Sequence, residues 1–174
     1  MPSHPTGPLT AFRIADDRFP LLDGGGAFKI GGRWNSKGRY VVYAGIGFAT
    51  AMLEKLAHTR IGKLPVGQHF AQVFIPGQIA IEEVGPSDVS GWADPDYAAS
   101  RAYGDAWYDS RRSAVLVVPS HPAMGFERNV LINQLHPDFA DIRAARPRQV
   151  LWDARLFAPS STSLSSSQAG PPEA

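Results

Sequence analysis

The chain has 174 residues, 44% of them hydrophobic and 19% charged, with 17 Lys and Arg against 16 Asp and Glu. This suits one soluble domain with a real core, and a formal charge of +1 argues against the concentrated positive field that direct nucleic-acid binding needs. With no cysteine in the chain, disulfides, thiolate nucleophiles and cysteine-ligated metals are excluded, and no apolar run approaches the roughly 20 residues of a bilayer span.

Residues 1–10 carry Pro2, Pro5 and Pro8 and read as a flexible lead, without the basic start and apolar run of a secretion signal. Residues 11–14 suit a short opening strand, and 23–32 a glycine-dominated loop. The β-branched and aromatic content of 41–44 predicts a strand. Gly45 and Gly47 then lead into a helix over 48–59. In it Ala49, Met52, Leu53 and Leu56 have the spacing of a buried stripe.

Strands are expected at 70–75 and 79–84, separated by the turn pair Pro76-Gly77. A less regular helix over 95–110 carries Tyr97, Tyr103, Trp107 and Tyr108. Residues 114–118 are nearly all apolar and read as a central strand stopped at Pro119, with two further short strands at 139–143 and 148–152. The Ser- and Pro-rich stretch 158–174 has little to bury and reads as a disordered tail. The expectation is one compact α+β unit over 11–157, because strands outnumber helices and do not alternate with them regularly.

Several polar residues could carry chemistry. Gly31-Gly32-Arg33-Trp34-Asn35 combines close backbone approach with a five-donor guanidinium suited to phosphate or carboxylate. By pattern alone, an irregular turn with a surface arginine is the simpler reading. Glu54 and His58, four apart on one helical flank, suit either a solvent-facing pair or a carboxylate at a pocket mouth. The five histidines show no metal-ligand spacing. Ser120 follows a strand end but lacks a nucleophile elbow, so a serine hydrolase built on Ser120 and His136 has little support. Asn129 and Asn133 lie among aliphatics and need partners if drawn inside, as loop-closers or as ligand contacts.

In this order the residues resemble the RES domain, named for an Arg–Glu–Ser trio that here would be Arg33, Glu54 and Ser120. Also similar are Phe12-Arg13-Ile14, Val42-Tyr43, Gly104-Asp105-Ala106-Trp107, 114–120, 129–133 and His136-Pro137-Asp138-Phe139. One departure is Gln134, where many relatives have proline after the asparagine.

The resemblance implies an ADP-ribosyltransferase-like mixed β core with flanking helices and a cleft for NAD, consumed as substrate with no metal. It implies the toxin of a cytoplasmic type II toxin–antitoxin pair, associated with an antitoxin that carries a helix-turn-helix-like DNA-binding region. The activity it implies is cleavage of the nicotinamide glycosidic bond, with ADP-ribose passed to a cellular protein. NAD phosphorolysis, NAD hydrolysis and a non-catalytic binding role for the same scaffold are the alternatives. Arg33, Glu54, Tyr43 and Ser120 would be catalytic, and Arg13, Gly32 and Asn129 would join Arg33, Tyr43 and Ser120 in binding NAD. Arg111-Arg112 and Arg143/Arg146/Arg148 are candidate basic pockets for the acceptor.

Overall fold

The computed structural model describes residues 8–59 and 63–157. Residues 1–7 of the expected lead and all of the expected tail lie outside these. In chain order come β1 (Leu9–Asp16), α1 (Gly25–Ile30), β2 (Val41–Gly45), α2 (Phe48–Ala57), β3 (Gln68–Ile75) and β4 (Ile81–Glu83). Then follow α3 (Ala98–Ser110), β5 (Val115–Pro119), β6 (Arg128–Asn133), a 3-10 helix (Pro137–Asp141), β7 (Arg143–Ala144), β8 (Arg148–Gln149) and a second 3-10 turn (Ala154–Leu156). The architecture is α+β, with a mixed sheet in the order β4-β5-β6-β2-β1-β3-β7 and β8 also on β3. Among the described residues only the β4–β5 pair is parallel. No helix among the described residues is long and apolar enough to cross a membrane.

Both faces are buried along β2, β5 and β6, which explains the unbroken apolar run of β5, whereas alternate residues of β3 reach solvent. Val115 and Val117 join Val42, Val73, Val130 and Ile132 in one core. Leu116 and Val118 point the other way, into a second core with Trp34, Val41, Trp107 and Leu131. Alternate residues of a strand serve opposite faces, so a doubly covered strand shows no polar alternation.

Several expectations need correction. β5 is not central but second from the edge, flanked by the short β4. The turn at Pro76 forms, with Ile79 N–H donating to Pro76 O at 3.1 Å. It does not join a hairpin, because β3 and β4 lie on opposite sides of the sheet. The glycine-dominated loop contains α1, and 128–133, assigned no strand from sequence, is β6. The strand expected at 139–143 is largely the 3-10 helix, and that at 148–152 shrinks to β8. Both β7 and β8 edge β3.

The face of α2 is the largest correction. Ala49 and Leu53 are exposed, whereas Thr50 and Ala51 are buried and Glu54 is half-buried. The helix is rotated because it packs on β2 at Gly45, where a Cβ would lie 2.6 Å from Ala51 N. That contact turns the polar flank of α2 inward.

A second close approach fixes the 32–36 loop. A Cβ on Gly104, in the second turn of α3, would sit 1.8 Å from Trp34 O. Around it Ser100 Oγ donates to Arg33 O at 2.7 Å, Arg101 Nε to Gly32 O at 2.9 Å, and Ser36 N–H donates to Asp105 Oδ1 at 2.8 Å. Gly104→Ala should therefore force the loop off the helix, at a cost of about 1–3 kcal/mol. The expected result is a melting temperature lower by several degrees than that of the parent protein, read by differential scanning calorimetry. An unchanged melting temperature would mean that the loop is not docked through this contact.

Candidate functional site

β1 and β2 meet at Phe12 opposite Gly45 and then part. Arg13 bridges the opening. Its Nε donates to Leu21 O at 2.5 Å, Nη1 to Tyr43 O at 2.6 Å and Nη2 to Asp23 O at 3.0 Å. Burial lowers its pKa to about 10, against the opposing pull of Asp23, so it remains a cation at neutral pH. The parted strands, the 32–36 loop and α2 enclose a cleft of about 960 Å³.

Glu54 reaches this cleft from α2. One of its oxygens, Oε1, accepts from Ser120 Oγ at 2.7 Å and from Asn129 Nδ2 at 2.5 Å. Hydrogen bonds to a carboxylate are among the stronger ones, and here they fix the group from β6 and the end of β5. Asn129 stands opposite Gly45 in the sheet, directly beside the point where α2 touches β2. No hydrogen bond to Oε2 is formed among the described residues. His58 does not pair with the Glu54 carboxylate; its Nδ1 lies 2.7 Å from Glu54 O.

Arg33 stands elsewhere on the wall. Its Nη1 donates to Trp92 O at 3.0 Å and Asp94 O at 3.1 Å, and its guanidinium lies 4.2 Å from the centre of the Tyr97 ring. Burial lowers its pKa, while Tyr97 and Glu54 act in the opposite sense. Tyr43 closes the loop from beneath: its hydroxyl donates to Asn35 Oδ1 at 2.7 Å and accepts from Trp34 N–H at 3.2 Å. Burial raises its pKa far above the usual phenol value, so it stays protonated. A Cβ on Gly32 would lie 2.6 Å from this hydroxyl, which explains a glycine there.

Six of the seven sequence-derived candidates thus line the cleft: Arg13, Gly32, Arg33, Tyr43, Glu54 and Asn129. Ser120 is fully buried and touches the cleft only through Glu54. Asn129 Oδ1, by contrast, is buried with no hydrogen-bond partner among the described residues. Asn133 is structural, its Nδ2 donating to Tyr108 O and its Oδ1 accepting from Leu135 N–H, both at 3.1 Å. The ring nitrogens of His136 go to Arg111 O and Asp138 N–H, so it does not serve Ser120. No cluster of three or more His, Asp or Glu side chains among the described residues could hold a metal.

Sequence reasoning missed the cationic lining. Lys29, Lys55 and Arg101 join Arg13 and Arg33 in the wall, against Asp16, Asp23 and Glu54. Of the acids, Asp16 is held by Arg18 at 2.7 Å and Asp23 accepts from Gly25 N–H at 2.9 Å. Neither expected arginine cluster lines the cleft; Arg112 pairs instead with the buried Glu82 at 2.6 Å, and Arg148 lies over Phe70.

A family model described as the RES domain matches residues 10–153. The chain is 38% identical over 147 residues to a protein named Prs ADP-ribosylating toxin from Sphingobium sp. (strain YBL2), covering 82% of this chain and 88% of that one. It is 33% identical over 158 residues to a Toxin Res of Yersinia enterocolitica, covering 85% of this chain and 99% of the relative. Among solved structures, a chain of the M. tuberculosis MbcT–MbcA toxin–antitoxin complex has a TM-score of 0.70 at 16% identity, covering 84% of this chain and 86% of its own, a likeness of fold.

The bonds of the Tyr43 hydroxyl can be tested without reference to any activity. Tyr43→Phe leaves Asn35 Oδ1 and Trp34 N–H without this partner, a loss on the order of 1–3 kcal/mol for buried groups. Chemical denaturation should read that loss, and hydrogen exchange should show faster exchange at the Trp34 amide. Unchanged protection at Trp34 would sink the assignment of Tyr43 as the loop's fastening.

Proposed function

The chain belongs to the RES-domain family, and on that premise we propose that it is the toxin of a type II toxin–antitoxin pair, acting in the cytoplasm. It cleaves NAD at the nicotinamide glycosidic bond and passes ADP-ribose to a cellular protein, using an ADP-ribosyltransferase-like core. The observation that carries this reading is Glu54, a carboxylate gripped at one oxygen by Ser120 and Asn129 in a cleft rich in cations. The 38% identical relative is named for ADP-ribosylation, which supports transfer over the alternatives. The fold neighbour is a toxin–antitoxin complex, which supports an antitoxin partner. The near-neutral charge of this chain leaves DNA contact to that partner's helix-turn-helix-like region.

The chemistry follows from the charges. In NAD the nicotinamide nitrogen is cationic, so it leaves with the bonding electron pair as a neutral base, and oxocarbenium-like charge develops on the ribose. A nucleophilic side chain of the target attacks that carbon and releases a proton; nicotinamide and the ADP-ribosylated protein are the products. Glu54 Oε2 takes a ribose hydroxyl and stabilises the developing charge, and an anchored carboxylate does so with little reorganisation. Asn129, which lines the cleft and donates to Glu54 Oε1, supports the carboxylate that meets the ribose. Ser120 acts through Glu54 as a positioning residue, Arg33 meets the phosphates, and Tyr43 and Arg13 hold the walls.

Glu54→Gln keeps size and loses charge, while Arg33→Lys keeps charge and loses the fork. Both should fold normally by circular dichroism and release nicotinamide at least ~100-fold more slowly, the usual scale for one transition-state contact. The acceptor is read with NAD labelled separately on nicotinamide and on ADP-ribose, in cell extract and in buffer with or without phosphate. Label fixed to a protein band only in extract is the expected result. Phosphate-dependent turnover without an adduct would replace transfer by phosphorolysis, and turnover in plain buffer alone would replace it by hydrolysis. No nicotinamide under any condition would leave a non-catalytic binding protein.

A further inference from the structure

Arg18, Arg39, Arg112, Arg128 and Arg155 each have Asp or Glu within 4.0 Å. Arg33 and Arg101 have no such partner among the described residues. Both line the cleft, and both lie over the same ring, Tyr97, at 4.2 and 5.0 Å from its centre. Tyr97 itself sits in the left-handed region, φ 62° and ψ 15°, at the N-cap of α3. A bulky aromatic rarely adopts that conformation, which costs about 1–3 kcal/mol. It is held there by the helix, with Arg101 N–H donating to Tyr97 O at 2.9 Å and Ser100 Oγ to the same oxygen at 3.2 Å.

Each guanidinium is also tethered at one side only. Arg33 spends Nη1 on Trp92 O and Asp94 O and keeps its Nε–Nη2 edge. Arg101 spends Nε on Gly32 O and keeps both terminal nitrogens. Two like charges beside one ring repel, and in Arg33 the proximity of Arg101 acts in the same direction as burial. The repulsion is relieved by an anion with two adjacent charged centres. Tethering to backbone carbonyls and stacking on an aromatic plane fix the donors in advance, so little side-chain freedom is lost when such an anion binds.

We propose that Arg101, with Arg33 and the Tyr97 ring that carries both, forms a clamp for a diphosphate group, one guanidinium for each phosphate. The inference rests on the NAD reading for the identity of the natural ligand, but the diphosphate chemistry comes from the paired arginines themselves. Arg101 and Tyr97 thereby become substrate-binding residues, and a dinucleotide or a nucleoside diphosphate sugar is the ligand class.

Isothermal titration of the full chain with ADP-ribose, which lacks the scissile bond, separates binding from catalysis. Arg101→Gln should weaken ADP-ribose binding about ten- to a hundredfold, the scale of charge-assisted hydrogen bonds. Arg101→Lys should recover part of that loss. Both variants lose the Arg101 Nε bond to Gly32 O, but hydrogen exchange at the Trp34 amide should rise by no more than a few-fold and equally in both, because Ser100, Gly104 and Asp105 still hold the loop. In turnover, the KM for NAD should rise with kcat within a few-fold. Equal ADP-ribose affinity in parent and Arg101→Gln proteins would overturn the clamp. So would a loss of binding that Arg101→Lys does not recover and that comes with Trp34 exchange more than about tenfold faster, which would give Arg101 a structural role. If the parent protein binds ADP-ribose in an Arg101-dependent way yet releases no nicotinamide from NAD, the clamp stands and the catalytic reading falls.

Discussion

Where β1 and β2 separate beyond Phe12 and Gly45, ladder hydrogen bonds are lost, and the Arg13 guanidinium takes over part of their role. It joins Tyr43 O of β2 to Leu21 O and Asp23 O of the segment before α1. Backbone carbonyls drawn from water need such partners, and a charged donor gives stronger bonds than a neutral one. The arrangement keeps the sheet continuous through the β1–β2 contact while leaving an opening wide enough to be a cleft. Arg13 therefore belongs to the architecture of the site, although the resemblance points to it as a phosphate contact.

Two glycine contacts then set what faces the opening. Gly45 lets α2 lie directly on β2, and Gly104 lets the Trp34 carbonyl lie directly on α3. The first brings Glu54 over Asn129, its neighbour across β6. The second brings Arg33 beside Tyr97 and Arg101. Neither placement follows from hydrophobic burial alone: Leu53, with 40% of its surface exposed, stays in water so that a carboxylate can turn inward. Rotating α2 to bury Leu53 would carry Glu54 away from both of its donors.

These same contacts explain what was legible in the sequence. The strand cores at 41–44, 70–75 and 114–118 were readable because their β-branched residues serve buried faces. The inward face of α2 was not, because it is set by the close contact with Gly45 and held by Ser120 and Asn129, 66 and 75 residues away from Glu54. β6 was hidden because its apolar run is only Val130-Leu131-Ile132, set between Arg128-Asn129 and Asn133-Gln134; like β5 it serves both cores, but it is too short to stand out. For the candidate site, pattern alone left Arg33 as a surface turn and Glu54 as a solvated helix residue; the family resemblance drew them together with Ser120. Arg101 escaped even that, since its tie to Gly32 spans 69 residues and nothing in its local sequence marks it.

Several unfavourable features of the molecule lie around the cleft, although Arg111 and Met124 also take positive φ and, among the described residues, Gln68, His69 and Trp152 also keep buried unpaired atoms away from it. Tyr97 is held at positive φ, and among the described residues Arg33 and Arg101 share a ring without a carboxylate partner and Asn129 keeps a buried acceptor unpaired. Each raises the free energy of the folded chain, and a sequence shaped for stability alone would relieve them, for example with glycine at 97 or an acid beside Arg101. The two apolar cores on either side of β2, β5 and β6 offset that cost. Strain at Tyr97 and an unopposed pair of arginines on the wall of the same cleft are what preorganisation of a binding site would require, and on the proposed reading that is their use.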